Sequence, residues 1–352
     1  MKRYGLSAAL GAGLLALLSA NVSAGAEPAD GNSRCRPSLQ ILDGAGTVRG
    51  LGPRGLAAGD GVYWRGTQQH RIPLPAESER AVTAGMNKYG LIVGTIDGRH
   101  GFTYRPGATA VKLLPGAKSA GAVNDIGHVV GLTDDGDLGV WRHARLLRTL
   151  PLPEGYEDFA AHRAVDINNR GSVIGTILGP PPANGWPRPT HEVLWPADGS
   201  SPVPLADRLA PEETTPWTEA ISDSGRIVGG QNPNLQPQPG RPVVFDPPYA
   251  GWPTLLEAEE GFPLDGPASM TDISPGGALA VGNADEFTAV GSWRPFAWNG
   301  SGPVRALPVL PGQTWPQARA EVADDRGRAG GSATDAEGVS HPVIWHCAVP
   351  QG

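Results

Sequence analysis

Short apolar runs, each bounded by Gly, Pro, Asn or Asp, recur along almost the whole chain. The runs at 91–93, 129–130 and 173–174 are typical, and a glycine follows each of them directly. Runs this short predict strands, because an amphipathic helix needs an apolar periodicity sustained over about ten residues or more. Consecutive apolar residues within a run suit strands that are covered on both faces. The pattern therefore predicts an all-β protein built from many short strands.

A nine-residue unit repeats within this pattern: an apolar residue, then Asn, Ser or Asp, two variable residues, Gly, and an apolar run that ends in Gly. Clear copies occupy 86–94, 123–131, 167–175 and 221–229, looser copies begin at Ile273 and Ala323, and a degenerate first copy begins at Leu42. The Asn, Ser or Asp side chain can bond the backbone two residues further on, and the first Gly can adopt positive φ. The unit therefore predicts a β-hairpin. The turns open at Asn87, Asn124, Asn168 and Ser222, and we expect positive or turn-type φ at Gly90, Gly127, Gly171 and Gly225.

A second unit follows each hairpin and predicts a third strand that ends in an aromatic residue. Clear copies end at Tyr104, Trp195, Phe245, Trp298 and Trp345, and weaker forms end at Trp64 and Trp141. A turn and a further apolar segment come next, so each repeat supplies four strands. Large aromatic side chains can fill the wedge between twisted sheets. We expect burial between neighbouring sheets for Tyr104, Trp141, Trp195, Phe245, Trp298 and Trp345.

The turn glycines of the hairpins are spaced by about 47 residues on average, at positions 46, 90, 127, 171, 225, 277 and 327. Four strands in each of seven such repeats predict a seven-bladed β-propeller over residues 41–348, with six to eight blades compatible with the looser copies. An open β-solenoid is the alternative. The last repeat stops just after Trp345, and the segment from Cys35 to Leu42 is predicted to supply its fourth strand from the other end of the chain.

The paired units resemble the extracellular HAF repeat, in which a His-Ala-Phe run before an aromatic residue accompanies an A-x-x-I-N-x-x-G-x-V-V-G hairpin. The resemblance covers about residues 41–346. No copy keeps all of His-Ala-Phe, and Arg or Asp often replaces the His. The resemblance implies a secreted bacterial repeat protein without an assigned enzymatic activity.

The amino-acid composition agrees with this all-β architecture. The 50 Gly and 36 Pro disfavour helices, while ten Trp and 39% hydrophobic residues oppose disorder. The net charge of −7 and the absence of a basic stripe exclude a typical nucleic-acid surface.

Residues 1–26 have the basic start, the apolar run and the small residues of a signal peptide, with cleavage sites at 22–24 or 24–26. A membrane anchor is the alternative, but the run is too short to span a bilayer. We expect a secreted, extracellular and monomeric protein.

The chain has two cysteines near opposite ends of the mature chain: Cys35, which lies within an N-terminal lead-in at 27–40, and Cys347. Two cysteines so far apart in sequence do not make a zinc site, and an exported protein meets an oxidising environment. The pair predicts a disulfide that closes the ring, with two free thiols as the alternative.

The sequence contains no recognisable catalytic motif: G-x-S-x-G, S-x-x-K, the P-loop and H-E-x-x-H are all absent. His100, His191 and His341 occupy equivalent places in three repeats, where Arg or Asp stands in other repeats, so solvated strand starts are favoured over a metal site. Acidic pairs such as those at 212–213 and 259–260 raise an extracellular glycosidase as the alternative function. No catalytic residue, cofactor or metal is predicted.

Loop lengths are uneven around the predicted ring. The segment between the hairpin and the third strand is shortest in the second and third repeats, and the fourth to sixth carry insertions at 176–190, 230–240 and 283–293. Loops usually carry function, although neutral drift also lengthens exposed loops. Trp186, Trp293 and Trp315 are the candidate ligand-binding residues, expected on one face and less buried than the strand aromatics. The sequence thus predicts a non-catalytic binding or scaffold protein for a protein or glycan partner, with a purely structural surface protein as a further alternative.

Overall fold

The computed structural model describes residues 35–349 except 183–187, 206–213, 234–239, 250, 263, 265, 286–291 and 313–316. Within these residues the chain forms 28 strands and no helix. The strands make seven four-stranded antiparallel sheets arranged in a ring, so the fold is a seven-bladed β-propeller, as the sequence predicts. The predicted signal segment, residues 1–26, lies outside the described residues. No described helix is long and apolar enough to cross a membrane.

Each blade runs outward from its first strand to its fourth. Blades 1 to 3 are formed by β2 (Gly50–Leu51), β3 (Leu56–Gly59), β4 (Val62–Arg65) and β5 (Gln68–Arg71); by β6 (Ala81–Met86), β7 (Ile92–Ile96), β8 (His100–Tyr104) and β9 (Lys112–Leu113); and by β10 (Ala122–Val123), β11 (His128–Leu132), β12 (Leu138–Arg142) and β13 (Arg145–Leu150).

The remaining blades follow the same order. Blades 4 to 6 are formed by β14 (Ala160–Ile167), β15 (Val173–Leu178), β16 (Thr190–Trp195) and β17 (Val203–Pro204); by β18 (Thr214–Ile221), β19 (Ile227–Pro233), β20 (Arg241–Phe245) and β21 (Thr254–Leu255); and by β22 (Ala268–Ile273), β23 (Ala280–Asp285), β24 (Trp293–Trp298) and β25 (Arg305–Ala306). Blade 7 combines β26 (Ala318–Ala323), β27 (Ala329–Thr334) and β28 (Ser340–His346) with β1 (Ser38–Ile41).

The ring closes by strand exchange between the two ends of the propeller sequence. β1 pairs antiparallel with β28, in a register that sets Ser38 opposite His346 and Ile41 opposite Val343. The prediction that the segment after Cys35 supplies the last blade's fourth strand is confirmed. Both cysteines are disulfide-bonded, and since the chain has no others, the predicted bond between Cys35 and Cys347 is confirmed as well.

The predicted hairpins are present, with one correction in blade 1. Gly90, Gly127, Gly171 and Gly225 have φ values of 79°, 82°, 94° and 91°. The first copy was wrongly placed at Leu42: residues 42–46 follow β1, and the blade 1 hairpin joins β2 to β3 through a turn that ends at Gly55. Gly52 stands where the other copies have Asn, Ser or Asp, so the copy lacks its most recognisable residue.

The second Gly of the repeat unit has a role that the turn alone does not explain. The first strand carries a bulge in blades 2, 4, 5, 6 and 7, and its backbone approaches the second strand closely there. A Cβ on Gly94 would overlap the carbonyl oxygen of Val82, and a Cβ on Gly331 would overlap that of Arg319. Only glycine fits at these positions.

The strand aromatics are buried, as predicted. Trp141 and Trp345 have no exposed surface, and the exposed fractions of the other four range from 3% to 5%. The indole N–H groups find carbonyl acceptors: Trp141 donates to Pro115 O at 3.0 Å and Trp345 to Pro308 O at 2.7 Å. Each indole therefore fills the space between blades and also anchors a connecting segment.

Candidate functional site

A cavity of about 270 Å³ lies where the first strands and the first hairpin turns of all seven blades meet. Its lining comes from the ends of β2, β6, β10, β14, β18, β22 and β26 and from the turns that follow them. We call these turns the rim turns and the end of the propeller that carries them the hairpin face. The cavity is thus built by the repeat unit itself.

The asparagines that open the rim turns hold neighbouring blades together. Asn87 Oδ1 accepts the backbone N–H groups of Tyr89 and Leu91 at 3.1 and 3.0 Å, which is the local turn that the sequence predicts. Its Nδ2 donates to the carbonyl of Asn124, one blade further on, at 2.9 Å. Asn124 and Asn168 repeat this bond towards Asn168 O and Ser222 O at 2.8 and 3.0 Å. Blades 2 to 5 are therefore linked in series by buried carboxamides.

The next turn position forms a second set of links between blades. Backbone N–H groups donate to side-chain oxygens of the following blade: Lys88 N to Asp125 Oδ1 at 3.0 Å, Asp125 N to Asn169 Oδ1 at 2.7 Å, Asn169 N to Asp223 Oδ1 at 2.8 Å and Gly276 N to Asp325 Oδ1 at 2.7 Å. Asn169 Nδ2 also donates to Asp125 Oδ2 and Asp223 Oδ2, at 3.0 and 2.9 Å. Asp125 and Asp223 consequently accept hydrogen bonds at both carboxylate oxygens, and Asp325 accepts one.

Two partly buried acids line the cavity below the rim. Asp166 accepts N–H groups from Ile167 at 2.7 Å and, in the next blade, from Ile221 at 2.9 Å. Asp272 makes the same pair of bonds with Ile273 and Ala323, at 2.8 and 2.7 Å. Each acid sits in the bulge of its strand and joins two blades. Neither forms an ion pair within the described part of the chain.

Burial controls the charge state of these acids. Burial raises the pKa of Asp166 to about 6, against the opposing effect of the two backbone hydrogen bonds. Burial also raises the pKa of Asp272 well above its usual range, and the charge of Asp166 raises it further. In the same way, burial raises the pKa of Glu219 and Glu321, although Arg163 and Arg49 oppose it.

The lining carries an excess of negative charge. Eight lining residues are acidic and three are basic: Asp125, Asp166, Glu219, Asp223, Asp272, Glu321, Asp324 and Asp325 against Arg49, Lys88 and Arg326. Several of the acids have a cationic partner, such as Asp125 with Lys88 at 3.0 Å and Glu219 with Arg163 at 3.0 Å. The arrangement therefore favours a guest that brings positive charge.

Two apolar side chains stand at the tips of neighbouring rim turns. Tyr89 in blade 2 is 60% exposed and Ile126 in blade 3 is 47% exposed. They follow Lys88 and Asp125, which line the cavity. Exposed apolar side chains beside a concave polar site are typical of a contact surface.

Of the three predicted tryptophans, Trp293 is described, and it does not line this cavity. Trp293 begins β24 at the other end of its blade, opposite Asp285, and is partly buried. The guanidinium carbon of Arg319 lies 4.0 Å from its ring centroid, so one ring face is occupied. Trp186 and Trp315 lie outside the described residues, and ligand binding by all three stays a prediction.

The three equivalent histidines begin the third strands of blades 2, 4 and 7, and so belong to different blades. His341 Nε2 lies 2.7 Å from Asp335 Oδ2, so this histidine has a hydrogen-bond partner within its own blade. No group of three or more His, Cys, Asp or Glu residues suited to a metal ion occurs among the described residues.

The acids of the cavity were missed by the sequence analysis. Asp166 and Asp272 each stand two residues before the residue that opens a rim turn, where other repeats have Gly, Ala or Val. An acid at such a position is the one signal in the sequence that could have found them.

Comparison with known proteins supports the fold. The structure is similar to YCF48 bound to D1 peptide, with a TM-score of 0.51, 10% identity, and coverage of 88% of this chain and 96% of that one. It is also similar to the puromycin hydrolase S511A mutant complexed with PGG, with a TM-score of 0.51, 15% identity, and coverage of 86% and 52%. TolB from Acinetobacter baumannii matches with a TM-score of 0.42 and 10% identity, over 73% of this chain and 63% of that one.

The chain therefore spans less than two thirds of the TolB and puromycin hydrolase chains. At 10% and 15% identity, the likenesses to YCF48 and to the puromycin hydrolase show a shared propeller fold. No protein-family model and no curated protein matches the sequence.

Proposed function

We propose that the chain is an exported, non-catalytic binding protein whose central cavity takes a cationic group of its partner. The observation that carries this proposal is the surplus of carboxylates in the cavity, eight acids against three bases, including two partly buried acids, Asp166 and Asp272, without an ion pair in the described residues. Export rests on the signal-like segment at 1–26 and agrees with the disulfide, which persists in oxidising surroundings.

The size of the cavity favours a single side chain over a larger ligand. A volume of about 270 Å³ is below the usual range for drug-sized ligands. The cavity is small and acidic, and an ammonium or guanidinium group on a flexible stem suits both properties. Its charge reaches the acids, and its stem lies against Tyr89 and Ile126 at the rim. We therefore propose that the partner is a protein or peptide that presents a Lys or Arg side chain.

Protonation makes the proposal testable through pH. A raised pKa means that the carboxyl of Asp166 holds a proton below about pH 6 and is charged above it. At pH 5 only about a tenth of Asp166 is ionised, so a cation that depends on this charge binds about tenfold more weakly than at pH 7.5. Asp272, whose pKa is also raised, acts in the same direction.

The experiment measures the affinity of the peptides Gly-Lys-Gly and Gly-Arg-Gly by calorimetry, with Gly-Gln-Gly as the uncharged comparison. The test variants are Glu219→Gln and Glu321→Gln, because these wall carboxylates accept no backbone hydrogen bond in the described residues. Glu257→Gln is the matched control, since Glu257 also pairs with an arginine, Arg241 at 3.1 Å, but lies outside the cavity.

We expect the charged peptides to bind more tightly than the uncharged one, and each wall variant to weaken them about tenfold. Affinity should rise with pH between 5 and 7.5 and fall with salt. Equal affinity for all three peptides, or an equal effect of Glu219→Gln and Glu257→Gln, would reject the cavity as the binding site.

A further inference from the structure

The outer strand of blade 3 differs from the other outer strands. β13 (Arg145–Leu150) has six residues, whereas β9, β17, β21 and β25 have two each and β1 and β5 have four. β13 pairs with β12 on one side, and no described strand pairs with its other edge. Short outer strands limit unwanted pairing with other chains, and β13 lacks that protection.

The side chains of β13 are unusually apolar for an exposed edge. Leu146 is 40% exposed and Leu147 is 48% exposed. The pairing with β12 shifts register between Val140 and Trp141, so Leu147 is the extra residue of a bulge. Two adjacent leucines are therefore presented to solvent on the longest outer strand of the propeller.

The same segment is basic although the protein as a whole is acidic. Residues 138–153 contain three Arg and one His and no Asp or Glu, in a chain of net charge −7. Arg142, Arg145 and Arg148 form no ion pair within the described part of the chain. The basic groups also lie close together: burial first, and then the charges of Arg142, Arg148 and His143, lower the pKa of His128.

We propose that the free edge of β13 accepts an extended segment of a partner protein as a fifth strand, and that this segment alternates apolar and acidic residues. Main-chain hydrogen bonds to the edge would provide affinity, and the leucines and arginines would select the side chains. The charge pattern argues against a second copy of this chain, because two antiparallel β13 strands would bring arginines together. This inference does not depend on the function of the cavity.

The test uses a fluorescein-labelled peptide of alternating Glu and Val, with a Lys-Val peptide as the charge-reversed comparison and heparin as an anionic polysaccharide. The variants are Arg145→Glu and Leu147→Glu. Leu113→Glu is the matched control, because Leu113 is 47% exposed on β9, the two-residue outer strand of the neighbouring blade.

We expect the Glu-Val peptide to bind, and both β13 variants to weaken it at least about tenfold while the control stays within about twofold. Hydrogen exchange of the β13 amides should slow in the complex, because strand addition occupies them. Binding without this protection, or no binding at all, would overturn the proposal. The proposal would also fail if heparin bound the protein and Arg145→Glu weakened that binding while Leu147→Glu did not. It would fail as well if light scattering showed a homodimer that Leu147→Glu dissociates.

Discussion

The links between blades make a quantitative prediction at Asn124. Replacement by Ala removes two hydrogen bonds at once: the bond that Asn124 Oδ1 accepts from His128 N at 2.8 Å, and the bond that its Nδ2 donates to Asn168 O at 2.8 Å. The residue is 4% exposed, so water does not readily replace either bond. One N–H and one carbonyl group lose a buried side-chain partner.

The magnitude follows from these two groups. A buried polar group without its partner costs roughly 1–3 kcal/mol. His128 N is partly buried, and Asn168 O keeps the hydrogen bond that it accepts from Gly171 N at 3.0 Å, so both losses belong at the low end of that range. We expect Asn124→Ala to lower the free energy of unfolding by about 2 kcal/mol.

Two further variants separate the bond within the turn from the bond between blades. Asn124→Ser copies Ser222, the natural residue of blade 5, and should lose about half as much stability. Asn124→Asp keeps the acceptor for His128 N but sets a carboxylate oxygen against the carbonyl of Asn168. Repulsion and burial raise the pKa of this new acid, so the variant should recover stability as the pH falls and the protonated oxygen donates to Asn168 O.

The assay is urea unfolding followed by tryptophan fluorescence with the disulfide intact. A loss below about 0.5 kcal/mol for Asn124→Ala would show that the links between blades carry no net stability. An Asp variant that loses further stability between pH 7 and pH 4, relative to the unsubstituted protein, would refute the assigned donor and acceptor roles.

Three other predictions concern the disulfide, a glycine and a buried acid. Replacing Cys35 and Cys347 by Ser should lower stability by up to about 5 kcal/mol in urea unfolding, and reductant should then have no further effect. Gly131→Ala should cost about 1–3 kcal/mol, because its Cβ overlaps a carbonyl, whereas Gly85→Ala, which has open space, should be nearly neutral in the same assay. Glu192, held by two threonine hydroxyls, has its pKa raised by burial from 4.5 to about 7, so its contribution to stability falls as pH rises through this window. Glu192→Gln should remove this slope, worth up to about 3 kcal/mol, and an unchanged pH profile of unfolding would contradict the assignment.

The fold was predictable because the repeat unit encodes its own local structure. A positive-φ Gly closes each turn, an Asn or Ser opens it, and an aromatic residue ends the third strand; these signals act within a few residues. Blade 1 shows the limit of such signals. Gly52 cannot bond the turn through a side chain, so the pattern was found at the wrong place, while tertiary pairing with β3 still forms the hairpin.

The cavity was not predictable in the same way. Its acids come from five separate blades, blades 3 to 7, and only closure of the ring brings Asp166 and Asp272 into one lining. The uneven loop lengths predicted a site in the segments between second and third strands, and these segments lie at the opposite end of the blades from the rim turns. The inter-blade use of Asn87 Nδ2 was hidden too, because the local turn already explains the Asn.

The rim turns connect the stability of the ring to the order of its proposed binding site. Asp125, Asp223 and Asp325 each use one oxygen to accept a backbone N–H from the preceding blade, so their carboxylates are held in place before any guest arrives. Side chains that are already ordered lose little conformational entropy on binding, which leaves more of the charge interaction as affinity. A substitution that cuts a link between blades, such as Asn124→Ala, should therefore weaken a cationic peptide even though Asn124 carries no charge. If affinity stayed unchanged while stability fell, the ring would support the fold without ordering the site.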